Sequence, residues 1–166
     1  MFQIVYRSTA TKSFSKAELI KMLKASVQRN TRAGITGLLL YKDGDFMQAL
    51  EGEEEVVIRL FSKISRDPRH HRVIPVIHEP IKQRNFPNSA MAFRDLDTAE
   101  LRNLPAYSEF LNTPLNGDLH APDITQCQRL LLLFKEDSTK SQGNYCHPSS
   151  VFALLRHNKH NKGSGV

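Results

Sequence analysis

Apolar residues over positions 1–96 recur with two different periods, and the order in which those periods alternate leaves few possible folds. Phe2, Ile4 and Tyr6 alternate with Gln3, Val5 and Arg7, the pattern of a strand whose inner face ends in a tyrosine. Ser15-Lys16-Ala17-Glu18 reads as a capping box, after which Leu19, Leu23 and Val27 line one helical face as far as Asn30, with Gly34 as the stop. A second strand from Ile35 to Tyr41 runs into the hairpin signal Lys42-Asp43-Gly44, and a third covers Asp45 to Gly52. Glu53-Glu54-Glu55 open a second helix, where carboxylates favour the positive end of the backbone dipole, and Val57, Leu60, Phe61 and Ile64 form its stripe. That helix stops at Asp67-Pro68, because the residue before proline resists the helical region. A fourth strand spans about Val73 to His78, and Pro75 within it argues for an edge position. A linker from Glu79 to Pro87 leads to a short fifth strand around Ala90 to Arg94.

The order β-α-β-β-α-β-β predicts an α+β, ferredoxin-like sheet with both helices on one face and strands one and three side by side in the middle. Beyond it, Thr98 to Leu104 has the pattern of a short helix, and Pro105, Pro114 and Asn116-Gly117 punctuate a loop. A stronger helix starts at Pro122-Asp123, with Ile124, Cys127, Leu131 and Phe134 spaced for one buried face. Leu130 to Phe134 is apolar all round, so it is expected to be covered on more than one side. C-terminal helices therefore supply the cover for the other face of the sheet. The implied organisation is a domain over 1–96, a helical cap over 97–137 and a basic tail over 138–166, expected to be disordered.

Charge narrows the function only after it is divided along the chain. The net charge is +6, but residues 138–166 hold Lys140, Arg156, Lys159 and Lys162 and no acid, leaving about +2 for the rest. The basicity belongs to the tail and does not mark the domain as a nucleic-acid binder. No apolar run reaches membrane-spanning length, the N-terminus is too short and strand-like for a signal peptide, and Cys127 and Cys146 form neither a metal-ligand spacing nor a disulfide framework. A cytoplasmic location follows as the expectation. His147, His157 and His160 are too sparsely spaced for a metal site, so none is expected.

Gln48 is the polar residue that demands an explanation. It shares a strand face with Phe46 and Leu50, and burying an amide without partners costs roughly 1–3 kcal/mol. Taken alone, a core glutamine bonded to backbone is an adequate account. The topology adds Tyr6 on the neighbouring strand and the same face, and Asn30 on the first helix. A phenol and two amides converging under two helices are better explained by a polar planar ligand.

Four stretches carry a resemblance: Tyr6-Arg7-Ser8; Asn30-Thr31-Arg32-Ala33-Gly34-Ile35-Thr36-Gly37; Phe46-Met47-Gln48-Ala49-Leu50-Glu51-Gly52; and Arg66-Asp67-Pro68-Arg69-His70. Together they resemble the motifs of BLUF domains, blue-light sensors that use flavin, over about residues 1–96. The resemblance implies that Tyr6 is the photoactive tyrosine, Gln48 the amide between it and the flavin, and Asn30 a holder of the isoalloxazine edge. It implies that Arg69 and His70 lie near the flavin or its phosphate side, with Arg32 as a further cofactor neighbour. Met91 joins Tyr6 and Gln48 as a photoactive position. The cofactor implied is FAD, with FMN or riboflavin compatible because the pocket grips the ring they share. One departure stands out: Ser89 occupies the place, two residues before Met91, where many relatives have tryptophan.

The function expected from this reading is a blue-light photoreceptor, not an enzyme, in which a hydrogen-bond rearrangement between Tyr6 and Gln48 is relayed through the fifth strand and C-terminal helices. There is no room for a cyclase or phosphodiesterase module, so a separate effector protein and a homo-oligomer are the expected partners. Membrane and nucleic acid are not expected. The alternative is a non-photoactive ferredoxin-like nucleic-acid-binding module, which would need an aromatic-rich strand face absent here. A small acylphosphatase-type hydrolase lacks a phosphate-cradling loop near strand one.

Overall fold

The structure, a computed structural model, describes residues 1–88, 92–95 and 124–137. Its elements run β1 (Phe2–Ala10), α1 (Lys16–Ala33), β2 (Thr36–Lys42), β3 (Asp45–Gly52), α2 (Glu54–Ser65), β4 (His70–Pro80), β5 (Ala92–Asp95) and α3 (Gln126–Asp137). The sheet order is β4-β1-β3-β2-β5, so β1 and β3 are the central antiparallel pair, as the topology predicted. β4 is an edge strand, which is where Pro75 can forgo a ladder hydrogen bond. β5 pairs parallel to β2 at the opposite edge.

Local chemistry explains the boundaries. Ser15 caps α1 by accepting from the Glu18 N–H while Glu18 accepts from the Ser15 N–H, and these bonds with Lys12 hold the Glu18 carboxyl down at about 2. Gly34 ends the helix in the left-handed region at φ 65°, its N–H reaching back to the Asn30 and Thr31 carbonyls. Asp43 (φ 48°) and Gly44 (φ 85°) form the two-residue turn between β2 and β3. β1 and β4 extend further than the apolar pattern indicated because Thr9 and Ala10 pair with His71 and His70. Irregularities in that pairing, one beside Tyr6 and Pro75, accommodate the proline.

Alternation divides the apolar residues into two cores. Phe2, Ile4, Tyr6, Leu39, Tyr41, Phe46 and Leu50 pack beneath Leu19 and Leu23 of α1 and Val57 and Leu60 of α2. Val5, Leu38, Leu40, Met47 and Ala49 face the other way, against Cys127, Leu130, Leu131 and Phe134 of α3. Each large side chain buried this way contributes roughly 1.5–3 kcal/mol. α3 thus covers the second face as expected, and burial of both Leu131 and Leu132 bears out the expectation of cover on more than one side. It begins at Gln126, with Thr125 in a reciprocal cap with Gln128, rather than at Pro122. The helix expected over 98–104, the tail and its histidines, Cys146, Ser89 and Met91 lie outside the described residues. Among the described residues no helix is long and apolar enough to cross a membrane, and no histidine, cysteine and carboxylate cluster could hold a metal.

Candidate functional site

Tyr6 and Gln48 are directly opposite each other on β1 and β3, and both are buried on the face beneath α1 and α2. The Tyr6 hydroxyl donates to Gln48 Oε1. The Tyr6 ring rests against Phe61 of α2, with centroids 5.3 Å apart. Burial pushes the phenol pKa up, opposed in part by the Arg29 cation, so the group remains a neutral donor across the physiological range. Its partner has chemically different ends. Rotating the Gln48 amide would turn an acceptor toward the phenol into a donor, so one torsion changes the whole hydrogen-bond pattern.

Asn30 is fully buried on the sheet-facing side of α1. Its carbonyl accepts from the Ile35 N–H at 2.9 Å, which fixes the backbone from which its side chain projects. The side-chain oxygen Oδ1 has no hydrogen bond among the described residues, although the residue is engaged by other interactions. Ser26, one helical turn earlier, is also buried and receives the Arg29 guanidinium at 3.4 Å. Ser26 and Arg29 escaped the sequence reading, although the spacing of Ser26 from Asn30 places it on the same face.

A second polar group lies where β1 ends and β4 begins. Ser8, fully buried, is 3.0 Å from His70 Nδ1, and the His70 ring lies 5.0 Å from that of Phe46. Burial lowers the His70 pKa, with Asp67 opposing and Arg69 reinforcing the shift. Arg69 itself folds back on Asp67 through Nη2 at 2.6 Å and Nε at 2.9 Å, leaving its side chain 52% exposed. That pairing brings the Asp67 carboxyl down to about 2. Arg32 is exposed on the last turn of α1. The structure therefore brings Tyr6 and Gln48 together in the helix-covered core, buries Asn30 on the face of α1 that carries Leu19 and Leu23, places His70 beside Phe46 at the margin, and leaves Arg32 and Arg69 at the surface.

The donor set suits a planar ligand with alternating carbonyl and N–H groups. Amides from a strand and a helix can pair with such an edge, aromatic and aliphatic side chains can cover its faces, and the phenol next to Gln48 is an oxidisable group.

Comparisons with known proteins agree with this chemistry. The family described as "BLUF: Sensors of blue-light using FAD" matches residues 1–92. The photoactivated adenylate cyclase subunit beta of Euglena longa is 39% identical over 84 residues, which is 51% of this chain and 10% of that protein. The chain thus matches about a tenth of the length of that relative. Among solved structures, BlrB, a BLUF protein in its dark state, aligns with a TM-score of 0.58 and 28% identity over 93% of this chain and 92% of that one. Klebsiella pneumoniae BlrP1 with FMN and cyclic diGMP aligns with a TM-score of 0.63 and 30% identity, covering 82% of this chain and 34% of that one.

Proposed function

This chain belongs to the BLUF family of blue-light sensors using FAD, and on that premise we propose that Tyr6 and Gln48 are the moving parts of its light switch. The observation that carries the proposal is the hydrogen bond from the Tyr6 hydroxyl to Gln48 Oε1 inside the helix-covered core. Asn30 and Gln48 have the chemistry to hold the edge of the ring, and His70 lies at the margin of the same core. When bound and excited by blue light, a flavin would be an oxidant strong enough to draw an electron from a phenol. Tyr6 would provide that electron and its proton, and their return to the phenol would leave the Gln48 amide turned and its partners exchanged. Arg69 would contact a phosphate only by leaving Asp67, whereas Arg32 can lend charge from the surface without being buried.

The family match displaces the nucleic-acid-binding alternative. We retain residues 1–96 as the flavin-binding unit and 97–137 as its helical cap, a division supported by the packing of α3 on the second sheet face. Photoactivated cyclase relatives support a signal handed to an effector, which for this chain we take to be a separate protein, with self-association as an accompanying step. Met91 is proposed as a responder beyond Gln48, and a cytoplasmic location fits this role.

Absorbance of the purified protein tests the proposal. Flavin bands and a red shift under blue light that reverses in darkness are expected, with the shift lost in Tyr6→Phe while flavin remains bound. A full, reversible shift in Tyr6→Phe would remove Tyr6 from the mechanism.

A further inference from the structure

Three residues beyond Gln48 on β3, Glu51 points to the opposite face of the sheet and is fully buried. Its Oε1 accepts from Gln3 Nε2 at 2.8 Å, from the Asn85 N–H at 2.9 Å and from Asn85 Nδ2 at 2.8 Å. Its Oε2 accepts from the Phe86 N–H at 3.1 Å and from Thr36 Oγ1 at 3.3 Å. Every one of these partners offers an N–H or O–H, so both carboxyl oxygens of Glu51 act as acceptors. Arg84 braces the arrangement from outside, donating to Thr36 Oγ1 at 2.8 Å, to the Glu51 carbonyl at 3.0 Å and to the Gly34 carbonyl at 2.8 Å.

The network continues into α3. Asn85 Oδ1 accepts from Thr125 Oγ1 at 2.6 Å, and Thr125 caps the helix through Gln128. Both ends of the Asn85 amide are therefore committed, one to β3 and one to α3. Gln3 is the cross-strand neighbour of Glu51 on β1. Phe86, held through its N–H, packs in the same core as Leu130 and Leu131.

We propose that Glu51 is a positioning residue for signal output, latching the segment 81–88 and the N-terminus of α3 to the strand that carries Gln48. This inference rests on the photochemical reading above. The Tyr6–Gln48 and Gln3–Glu51 pairs belong to one β1–β3 ladder, about 10 Å apart along the strands. A small slide or twist of β3 when the Gln48 amide turns changes the distances to Asn85 and Phe86. Hydrogen bonds weaken steeply with misalignment, so the loop and the α3 cap loosen together. The element with two arrangements is this loop and helix start, latched or released.

The test is hydrogen exchange on the full flavin-loaded chain, dark and illuminated, with absorbance recorded on the same samples. In the unsubstituted protein, residues 81–88 and 124–137 are expected to exchange faster in light. In Asn85→Ala their dark exchange should rise about tenfold, the size of one or two lost hydrogen bonds, and light should add nothing further. The spectral shift should be retained. Glu51→Gln, which turns a donor toward donors, should behave alike; if that variant does not fold, the half-buried Asn85 decides the matter. A merely structural Glu51 would lower stability yet leave the light-minus-dark difference intact. That difference surviving in Asn85→Ala would overturn the latch, as would a normal spectral shift with identical light and dark exchange in the unsubstituted protein. Absence of any spectral shift is a separate outcome: it overturns the photochemical reading and takes the latch with it.

Discussion

The two faces of the central β1–β3 pair carry two polar contacts with opposite properties. On the face under α1 and α2, Tyr6 meets Gln48, a neutral phenol against an amide that can turn. On the face under α3, Gln3 meets Glu51, a carboxylate held by donors from two strands and a loop. The first pair has an alternative arrangement within one torsion; the second has none without breaking several bonds at once. Polar groups in a core can thus serve as a moving part or as a fastening, depending on how completely their hydrogen-bonding capacity is used.

The largest expected effect comes from a substitution that harms both faces together. A Cβ at Gly37 on β2 would sit 1.9 Å from the Ala49 carbonyl oxygen on β3. Gly37→Ala should therefore push the two strands apart and cost on the order of 3 kcal/mol or more, read from the urea midpoint and from loss of bound flavin. An unchanged midpoint would show that β2 and β3 do not depend on this approach.

Next in size is the contrast between the faces themselves. Glu51→Leu should lower the unfolding free energy by about 3 kcal/mol, because buried donors from three segments lose their acceptor. Gln48→Leu should lower it less, by about 1–2 kcal/mol, because the Tyr6 hydroxyl loses its acceptor, yet abolish the light-induced shift. Equal losses of stability in the two variants would erase the distinction between switch and fastening.

Asn30→Ala sharpens the helix-covered face alone. Removing ring-edge hydrogen bonds should weaken flavin retention by about tenfold, or ~1.4 kcal/mol, with the bound fraction still photoactive. The flavin-to-protein ratio after gel filtration measures it, and an unchanged ratio would make Asn30 a helix-end residue only.

The smallest effects follow pH at the edge of that face. Burial depresses the His70 pKa, so its stabilising contribution is complete above the ordinary value of 6.5 and is lost as pH falls below that through the folded value. His70→Gln should remove this part of the pH dependence of the urea midpoint. Asp67, lowered from 3.8 to about 2, contributes above about pH 4 and loses that contribution as pH falls toward 2. Because its partner Arg69 is half exposed, Asp67→Asn should cost less than about 1 kcal/mol at pH 7, and that cost should shrink steadily as pH falls toward 2.

Much of the proposed site was legible, because strand alternation and helix order are enough to put Tyr6 and Gln48 on the face beneath the two helices and Asn30 on the first of those helices. The fastening was not. Glu51 could be assigned to the opposite face, and an acid between Leu50 and Gly52 on an inward-facing strand position signals a need for partners. Those partners, Asn85 and Phe86, sit in a stretch that reads as a linker, while Thr125 is further still along the chain. Ser8 and His70 are likewise 62 residues apart, and their contact arises only from the β1–β4 pairing. Arg69, which the resemblance set near the flavin or its phosphate side, pairs with an acid only two residues away, a contact that is short-range in the chain.

What the sequence determined by itself was therefore short-range in physics. It set the two apolar periods, the Ser15–Glu18 cap, the left-handed Gly34 stop, the Asp43-Gly44 turn and the edge position of a proline strand, each settled by neighbours within a few residues. Tertiary structure decided which polar groups meet across the chain, because a hydrogen bond acts only over about 3 Å and its partners are delivered by topology. It also decided that Gly37 must lack a side chain, since the obstacle is backbone from another strand. Loops carry no periodicity from which such meetings can be read, so Asn85 acquires its role only when β3 and α3 arrive on either side of it.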